Sequence, residues 1–265
     1  MTNLAFKAVR TLSARVGYPI IPQWRLEKWD QSSHLAQLFA MLAIDCVLDV
    51  GANIGQYREF LRLQLDYRDD IVSFEPVGEM YDVIARAAAT DPRWSVHRLA
   101  LGEADQPATI NVFAERTLTS LLPRNEEGLR SMGYDKYVRE TELDRTEEVE
   151  VRRLDGLIDA IAPAERRIFL KSDTQGYDMQ VMRGAAACID RILAIQIELP
   201  VREIYQGAGN YLDALAELTD MGFDPTAFFP VQRDSTLRTV NVDAVMVRRD
   251  EAERLRETQG IAGRP

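Results

Sequence analysis

Two short apolar runs, each meeting an acid, constrain this chain most. Val47-Leu48-Asp49-Val50 passes into Gly51-Ala52-Asn53-Ile54-Gly55, and Ile71-Val72-Ser73-Phe74 stops at Glu75-Pro76. Runs this short and apolar suit parallel strands buried on both faces, and the acids are expected at the rim, where strand carboxyl ends meet the ligand crevice of an open α/β sheet. Gly51 and Gly55 permit a tight turn and close backbone approach to a ligand, and residues 56–65 read as a helix whose N-terminus faces it. The order is strand, glycine loop, helix, strand.

The loop narrows the ligand. A phosphate-binding Walker loop ends in Gly-Lys-Ser/Thr and a dinucleotide loop reads G-x-G-x-x-G, whereas this one is G-x-x-x-G with no basic residue. S-adenosylmethionine fits better: its carboxylate meets loop amides, its sulfonium favours nearby acids such as Asp49, and its ribose diol suits Glu75. Glu75 stands 26 positions after Asp49, near the roughly 20-residue spacing at which βαβ geometry places a ribose acid. A plain glycine turn between ordinary strands is the alternative.

Strand and helix signals alternate along the chain. Residues 78–89 read as a helix, 94–100 as a third strand and 108–113 as an extended segment. Residues 114–148 carry nine acids and six bases and break the rhythm, so they read as an insertion, either a solvated excursion or a lid that docks through Leu118 to Leu122, Tyr134 and Tyr137. Apolar residues make up 46% of the 265, enough for a substantial core, and no apolar stretch is long enough to span a membrane. The net charge of -10 argues against a nucleic-acid partner. Cys46 and Cys188 lack partners at metal-ligand spacing and read as buried reduced thiols of a cytoplasmic protein. No signal peptide is evident.

A second site-like segment is Lys171-Ser172-Asp173-Thr174-Gln175-Gly176-Tyr177-Asp178, at the end of an apolar strand. Period-2 geometry puts Phe169, Lys171 and Asp173 on one face, and a lysine in a strand covered on both faces needs a partner or a task. The next strand, 192–199, brings Glu198 to the same carboxyl edge. Lys171, Asp173 and Glu198 are therefore expected to converge. A structural Lys171–carboxylate ion pair is the alternative.

These motifs occur together in one known family. Asp49-Val50-Gly51-Ala52-Asn53-Ile54-Gly55, Phe74-Glu75-Pro76, Leu99-Ala100-Leu101-Gly102, Thr119-Ser120-Leu121, Leu154-Asp155-Gly156-Leu157, Lys171 to Asp178 and Ile197-Glu198-Leu199 resemble, in order, the FkbM-type methyltransferases. The resemblance covers residues 45–247. It implies an α/β class I methyltransferase Rossmann-like fold, with a mostly parallel seven-stranded sheet, its last strand antiparallel, and helices on both faces. It implies that Asp49, Gly51, Ala52, Asn53 and Gly55 frame the methionine end of S-adenosyl-L-methionine, that Glu75 holds the ribose, and that Ala100 and Leu101 flank the adenine. Ser172 departs from the pattern, standing where the family often has an apolar residue. The insertion after Thr119-Ser120-Leu121 is also long.

Methyl transfer to a hydroxyl requires an aligned acceptor oxygen and removal of its proton. Asp173 is the preferred base or positioning group, Lys171 holds its charge, and Glu198 contacts the acceptor or assists deprotonation. Tyr205 and Asp243 rank behind them; His97 reads as a packed strand residue. The expected activity is O-methylation, with the hydroxyl of a sugar, glycan or glycolipid favoured as acceptor. Alternatives are a magnesium-dependent O-methyltransferase of polyketide-like or other small hydroxyl compounds, a non-catalytic adenosine-cofactor protein, and a dehydrogenase. No metal ligands are assigned, and an oligomer is left open. The chain divides into an N-terminal helical extension (1–44), the catalytic domain (45–248) and a C-terminal tail (249–265). Ala5, Phe6, Val9, Leu12 and Val16 share one helical face and Lys7, Arg10 and Arg15 lie off it, so residues 1–22 suit either a packing helix or peripheral contact with the inner membrane face.

Overall fold

The computed structural model describes residues 29–131 and 142–258. The core is a seven-stranded sheet of order β3-β2-β1-β7-β8-β10-β9. Its strands are β1 (Cys46–Val50), β2 (Asp70–Phe74), β3 (Trp94–His97), β7 (Ile168–Ser172), β8 (Ile192–Pro200), β9 (Phe223–Arg233) and β10 (Thr239–Arg248). The first five are parallel, and β10 runs antiparallel to its neighbours β8 and β9. The chain leaves β1 toward β2 and β3, then returns to β7 on the other side of β1. That reversal opens a crevice at the carboxyl ends of β1 and β7, where open α/β sheets bind ligands.

Alternation along the strands sorts residues onto two faces. Cys46, Leu48, Val50, Ile168, Leu170, Ile195 and Ile197 pack against Met179, Val181 and Met182 of α6 (Asp178–Arg183), Ala214 and Leu218 of α7 (Tyr211–Asp220), and Ile158 of α5 (Ile158–Ile161). Val47, Ile71, Phe169, Ala194 and Val245 pack against the other group. That group is α1 (Trp29–Leu42), α2 (Gln56–Gln64), α3 (Gly78–Ala88) and α8 (Arg249–Thr258), through residues such as Leu35, Leu42, Leu61, Ile84 and Leu255. A sheet covered on both faces needs apolar residues at successive positions, which is why β1 and β7 are buried throughout. The segment read as an extension thus gives α1 to the core, and the one read as a tail begins as α8.

A second, three-stranded sheet of order β4-β6-β5 joins β4 (Ala100–Leu101), β5 (Gln106–Phe113) and β6 (Leu143–Arg152). Two expectations are corrected here. The third strand does not continue to residue 100: its pairing with β2 ends at His97, and Ala100 and Leu101 pair with Val151 and Arg152 instead. The insertion does not run to residue 148, because β6 pairs antiparallel with β5 from Leu143 onward. Its exposed Glu148 and Glu150 alternate with buried Val149 and Val151, and a one-sided antiparallel sheet accommodates that charge. Between these strands lie short α4 (Glu126–Ser131) and residues outside the described ones, Tyr134 and Tyr137 among them.

Candidate active site

Polar side chains interrupt the helix-covered sheet face at the carboxyl ends of β1, β7 and β8 and at the adjoining amino-terminal half of antiparallel β10. Asp49 of β1 stands beside Lys171 of β7, and Lys171 beside Gln196 of β8; one step further, Glu198 stands opposite Asp243 of β10. Lys171 Nζ lies 3.3 Å from Asp49 Oδ1 and 3.6 Å from Asp173 Oδ2, and sits over the Tyr57 ring of α2 at 5.3 Å. Burial opposes the ammonium charge, but Asp49 and Asp173 outweigh it and push the Lys171 pKa above its ordinary value. Lys171 is therefore a fixed cation and not a base. The Tyr57 hydroxyl donates to Gln196 Oε1 at 3.0 Å, and Gln196 Nε2 donates to Asp243 Oδ2 at 2.9 Å.

The loop after β1 forms one wall of the cleft. Gly51 adopts φ +76°, and a Cβ there would come within 2.1 Å of the Asp173 carbonyl oxygen. Only glycine lets the loops after β1 and β7 touch. Gly55, at φ +90°, caps α2 and packs against Trp94. Glu75, just past β2, is 5% exposed. Its Oε2 accepts from the Asn53 amide at 2.8 Å and its Oε1 from the Val77 amide at 2.9 Å, leaving each oxygen able to accept again. Burial raises Glu75 to about 7 despite these bonds. Beyond it Phe74, Met80, Ala100, Leu101 and Ile110 make an apolar end.

The opposite end is polar. Buried Asp178 accepts from Ser172 Oγ at 2.6 Å, Thr174 N at 3.0 Å and Gly176 N at 3.2 Å, and so shapes the loop after β7. Within that loop Gln175 Nε2 donates to Asp173 Oδ1 at 2.8 Å and to Glu198 Oε2 at 3.1 Å, joining the two carboxylates. Glu198 Oε1 accepts from Asn241 at 3.2 Å. Burial, reinforced by the charges of Asp173 and Asp243, raises Glu198 well above the usual carboxylate range. The Tyr205 hydroxyl donates to the Leu118 carbonyl at 2.7 Å and lies 3.0 Å from Gln175 Oε1. Ser120 Oγ donates to the Gln175 carbonyl at 2.7 Å, and Arg116, Thr117, Thr119 and Leu121 of the expected insertion wall the cleft.

The family description "Methyltransferase FkbM domain" matches residues 49–225. The chain belongs to the FkbM methyltransferase family. A curated relative, "Methyltransferase 1" of Beauveria bassiana (strain ARSEF 2860), is 23% identical over 185 residues, 67% of this chain and 71% of that protein. Among solved structures, the METTL16 methyltransferase domain superposes with a TM-score of 0.45 at 8% identity, over 86% of this chain and 69% of that one. Magnesium protoporphyrin IX methyltransferase of Synechocystis PCC 6803, solved with its methyl donor, superposes with a TM-score of 0.40 at 9% identity, over 93% of this chain and 92% of that one.

S-adenosyl-L-methionine is the cofactor of this FkbM methyltransferase, and the cleft fits it. The apolar end accommodates an adenine, Glu75 offers two acceptors where a ribose diol would lie, and Gly51 to Asn53 with the acids beyond suit an amino-acid end carrying a cation.

Of the predicted cofactor residues, Gly51, Ala52, Asn53, Glu75, Ala100 and Leu101 line the cleft. Two do not. Gly55 is turned toward Trp94, and Asp49 sits within β1 at 0% exposure rather than at the rim, bonded to Ser73 Oγ at 3.0 Å. Asp49 reaches the cleft only through Lys171. Lys171, Asp173 and Glu198 all line it, although Lys171 pairs with Asp49 and Asp173, and Glu198 joins through Gln175. Asp243 also lines it, Tyr205 stands behind Gln175, and His97 stacks on Phe74 at 5.4 Å. Cys46 and Cys188 are buried free thiols, pushed by burial to about 11 and about 12.

Sequence reasoning missed Tyr57, Gln175, Gln196, Asn241 and Gln31. Gln196 was detectable as an amide between isoleucines, on the face of Glu198 by period 2. Gln31 carries no such signal, because α1 reaches the cleft only through packing.

Proposed function

We propose that this methyltransferase is an O-methyltransferase acting on a sugar hydroxyl of a glycan or glycolipid. The observation that carries the reading is the composition of the acceptor end, where Gln31, Asp173, Gln175, Gln196, Glu198 and Asp243 line one polar wall. Carboxylates and amides in such density suit a polyhydroxylated acceptor, whose hydroxyls both donate and accept. An apolar or aromatic acceptor would offer no donor to the acceptor oxygens of this wall that the described residues leave open, Asp243 Oδ1 and Gln31 Oε1.

S-adenosylmethionine, when bound, supplies an electrophilic methyl group. The chain's own residues hold the acceptor and take its proton. Asp173 is the reachable carboxylate, its side chain 42% exposed against 6% for Lys171. Its two oxygens are fixed by Lys171 and Gln175, so it presents a set direction to an incoming hydroxyl. Asp173 serves as general base, taking the hydroxyl proton onto its carboxylate, or as positioning group, and Glu198, whose burial favours its neutral form, is held beside it by the Gln175 amide, which donates to both carboxyls. Among the described residues no group of three or more His, Cys, Asp or Glu side chains has metal-site geometry.

The test is transfer of labelled methyl groups to glycan, glycolipid and small-molecule acceptors, with the product mapped by mass spectrometry. A methyl ether on a sugar is expected. Methylation at nitrogen or carbon, or at hydroxyls of non-sugar acceptors alone, would overturn the reading. Turnover lost to a chelator and restored by magnesium would reassign Asp173 to a metal ion.

A further inference from the structure

Two side chains at the acceptor end come from outside the family's matched residues: Gln31 from α1 and Asp243 from β10. Gln31 Nε2 and Gln196 Nε2 both donate to the same oxygen, Asp243 Oδ2, each at 2.9 Å. The Tyr57 hydroxyl on Gln196 Oε1 fixes which way that amide points. Both amides therefore satisfy one carboxylate oxygen. Among the described residues, Asp243 Oδ1 and Gln31 Oε1 receive no hydrogen bond, and both residues line the cleft. The result is two acceptor atoms on adjoining side chains, with no donor from the described residues. Adjacent hydroxyls of a ligand would supply the missing donors. Burial and the nearby Asp173 charge raise Asp243 to about 6, in keeping with a carboxylate short of donors.

We propose that Gln31 and Asp243 form an acceptor subsite for two neighbouring hydroxyls of a sugar, so that α1, outside the matched domain, helps select the substrate. The subsite rests on the reading of a sugar acceptor. Lys171 and Asp173 hold the reacting hydroxyl, and Gln31 and Asp243 hold the ring beyond it.

The test uses the full-length protein, labelled S-adenosylmethionine, and a panel of methyl glycosides with their monodeoxy forms. Asp243→Asn is expected to raise the acceptor KM about 10-fold or more, the scale of a hydrogen bond to a charged group, and Gln31→Ala about 2- to 10-fold, the scale of a neutral one. The Kd for S-adenosylhomocysteine is expected to stay within about twofold, since neither side chain faces the cofactor end. Removing the recognised sugar hydroxyl should raise the wild-type KM by a similar factor and have little further effect in the variants. That coupling would not arise if the two residues merely tethered α1 to the sheet. Gln31 occupies a half-buried helix position, so its variant reads the subsite even if Asp243→Asn disturbs β10. If wild type methylates a glycoside while both variants keep its KM, or keep the full deoxy penalty, the subsite is wrong and the sugar reading stands. If wild type neither methylates nor binds any glycoside by ligand-observed NMR, the sugar reading fails and the subsite with it.

Discussion

Glu75 is the residue whose chemistry depends most on what surrounds it. Burial outweighs its two backbone donors and raises it to about 7, so the carboxyl changes from neutral to ionised around neutrality. A ribose diol donates to the ionised form. Below about pH 7 the proton must first leave, so affinity for S-adenosylhomocysteine is expected to rise with pH by up to about tenfold per unit and level off above it. Calorimetry between pH 5.5 and 8.5, values spanning about 1.5 units either side, checks this, with Glu75→Gln expected to flatten the profile. Glu75→Ala should weaken binding by about 1.5 to 3 kcal/mol; unchanged affinity in a folded variant would remove the ribose assignment. For Asp173, replacement by Asn keeps the Gln175 and Lys171 surroundings but removes the base, and turnover is expected to fall about 10²- to 10⁴-fold with cofactor affinity largely retained. Stopped-time assays on the first acceptor found will decide between base and bystander.

At the scale of elements, two loops are built against one another. Gly51 lies so close to the Asp173 carbonyl that Gly51→Ala must move the loop after β7, in addition to straining a positive-φ position. We expect a loss of more than about 2 kcal/mol in denaturant unfolding, because both a backbone clash and an unfavourable φ are introduced. The buried Ser172 hydroxyl donates to Asp178, which in turn holds the Thr174 and Gly176 amides. Ser172→Val leaves a buried carboxylate short of a donor. A cost of about 1 to 3 kcal/mol is expected. If Asp178 shapes the loop, the variant's kcat should fall more than its cofactor affinity; equal losses would mean the sheet itself is disturbed.

At the scale of the whole molecule, charge is unevenly distributed along the chain. Residues 1–30 carry Lys7, Arg10, Arg15, Arg25 and Lys28 against Glu27 and Asp30, a net of +3, leaving -13 for the remainder. Most of that segment, including the Ala5-to-Val16 stripe, lies outside the described residues. Among the described residues no helix is long and apolar enough to cross a membrane. By sequence a basic amphipathic stretch precedes α1, and such a stretch suits contact with an anionic membrane surface that carries a lipid-linked acceptor. On this proposal the protein is cytoplasmic with peripheral contact at the inner membrane face. Full-length protein is then expected to float with anionic liposomes at low salt, to sediment at high salt, and to lose flotation when residues 1–22 are removed. No flotation of the full-length protein at low salt, with the truncated protein dissociating an oligomer or losing its fold, would mark the segment as a packing element.

The sequence by itself determined the first strand, the glycine turn after it and the place of Glu75 at the end of the second strand. These are local patterns, and βαβ geometry leaves them one arrangement. Lys171, Asp173 and Glu198 were legible for the same reason, since period 2 fixes their face and strand ends fix their height. Tertiary structure decided the rest. Whether Asp49 met ligand or lysine depended on β1 pairing with β7, more than a hundred residues away in sequence. The strand that seemed to run through residue 100 broke because Ala100 found a partner in Val151. Gln31 entered the cleft because the apolar stripe of α1 packs on Val47, Phe169 and Val245, which turns its polar edge toward Asp243. Such contacts follow from which faces bury one another across the whole chain, and no window of sequence contains both partners.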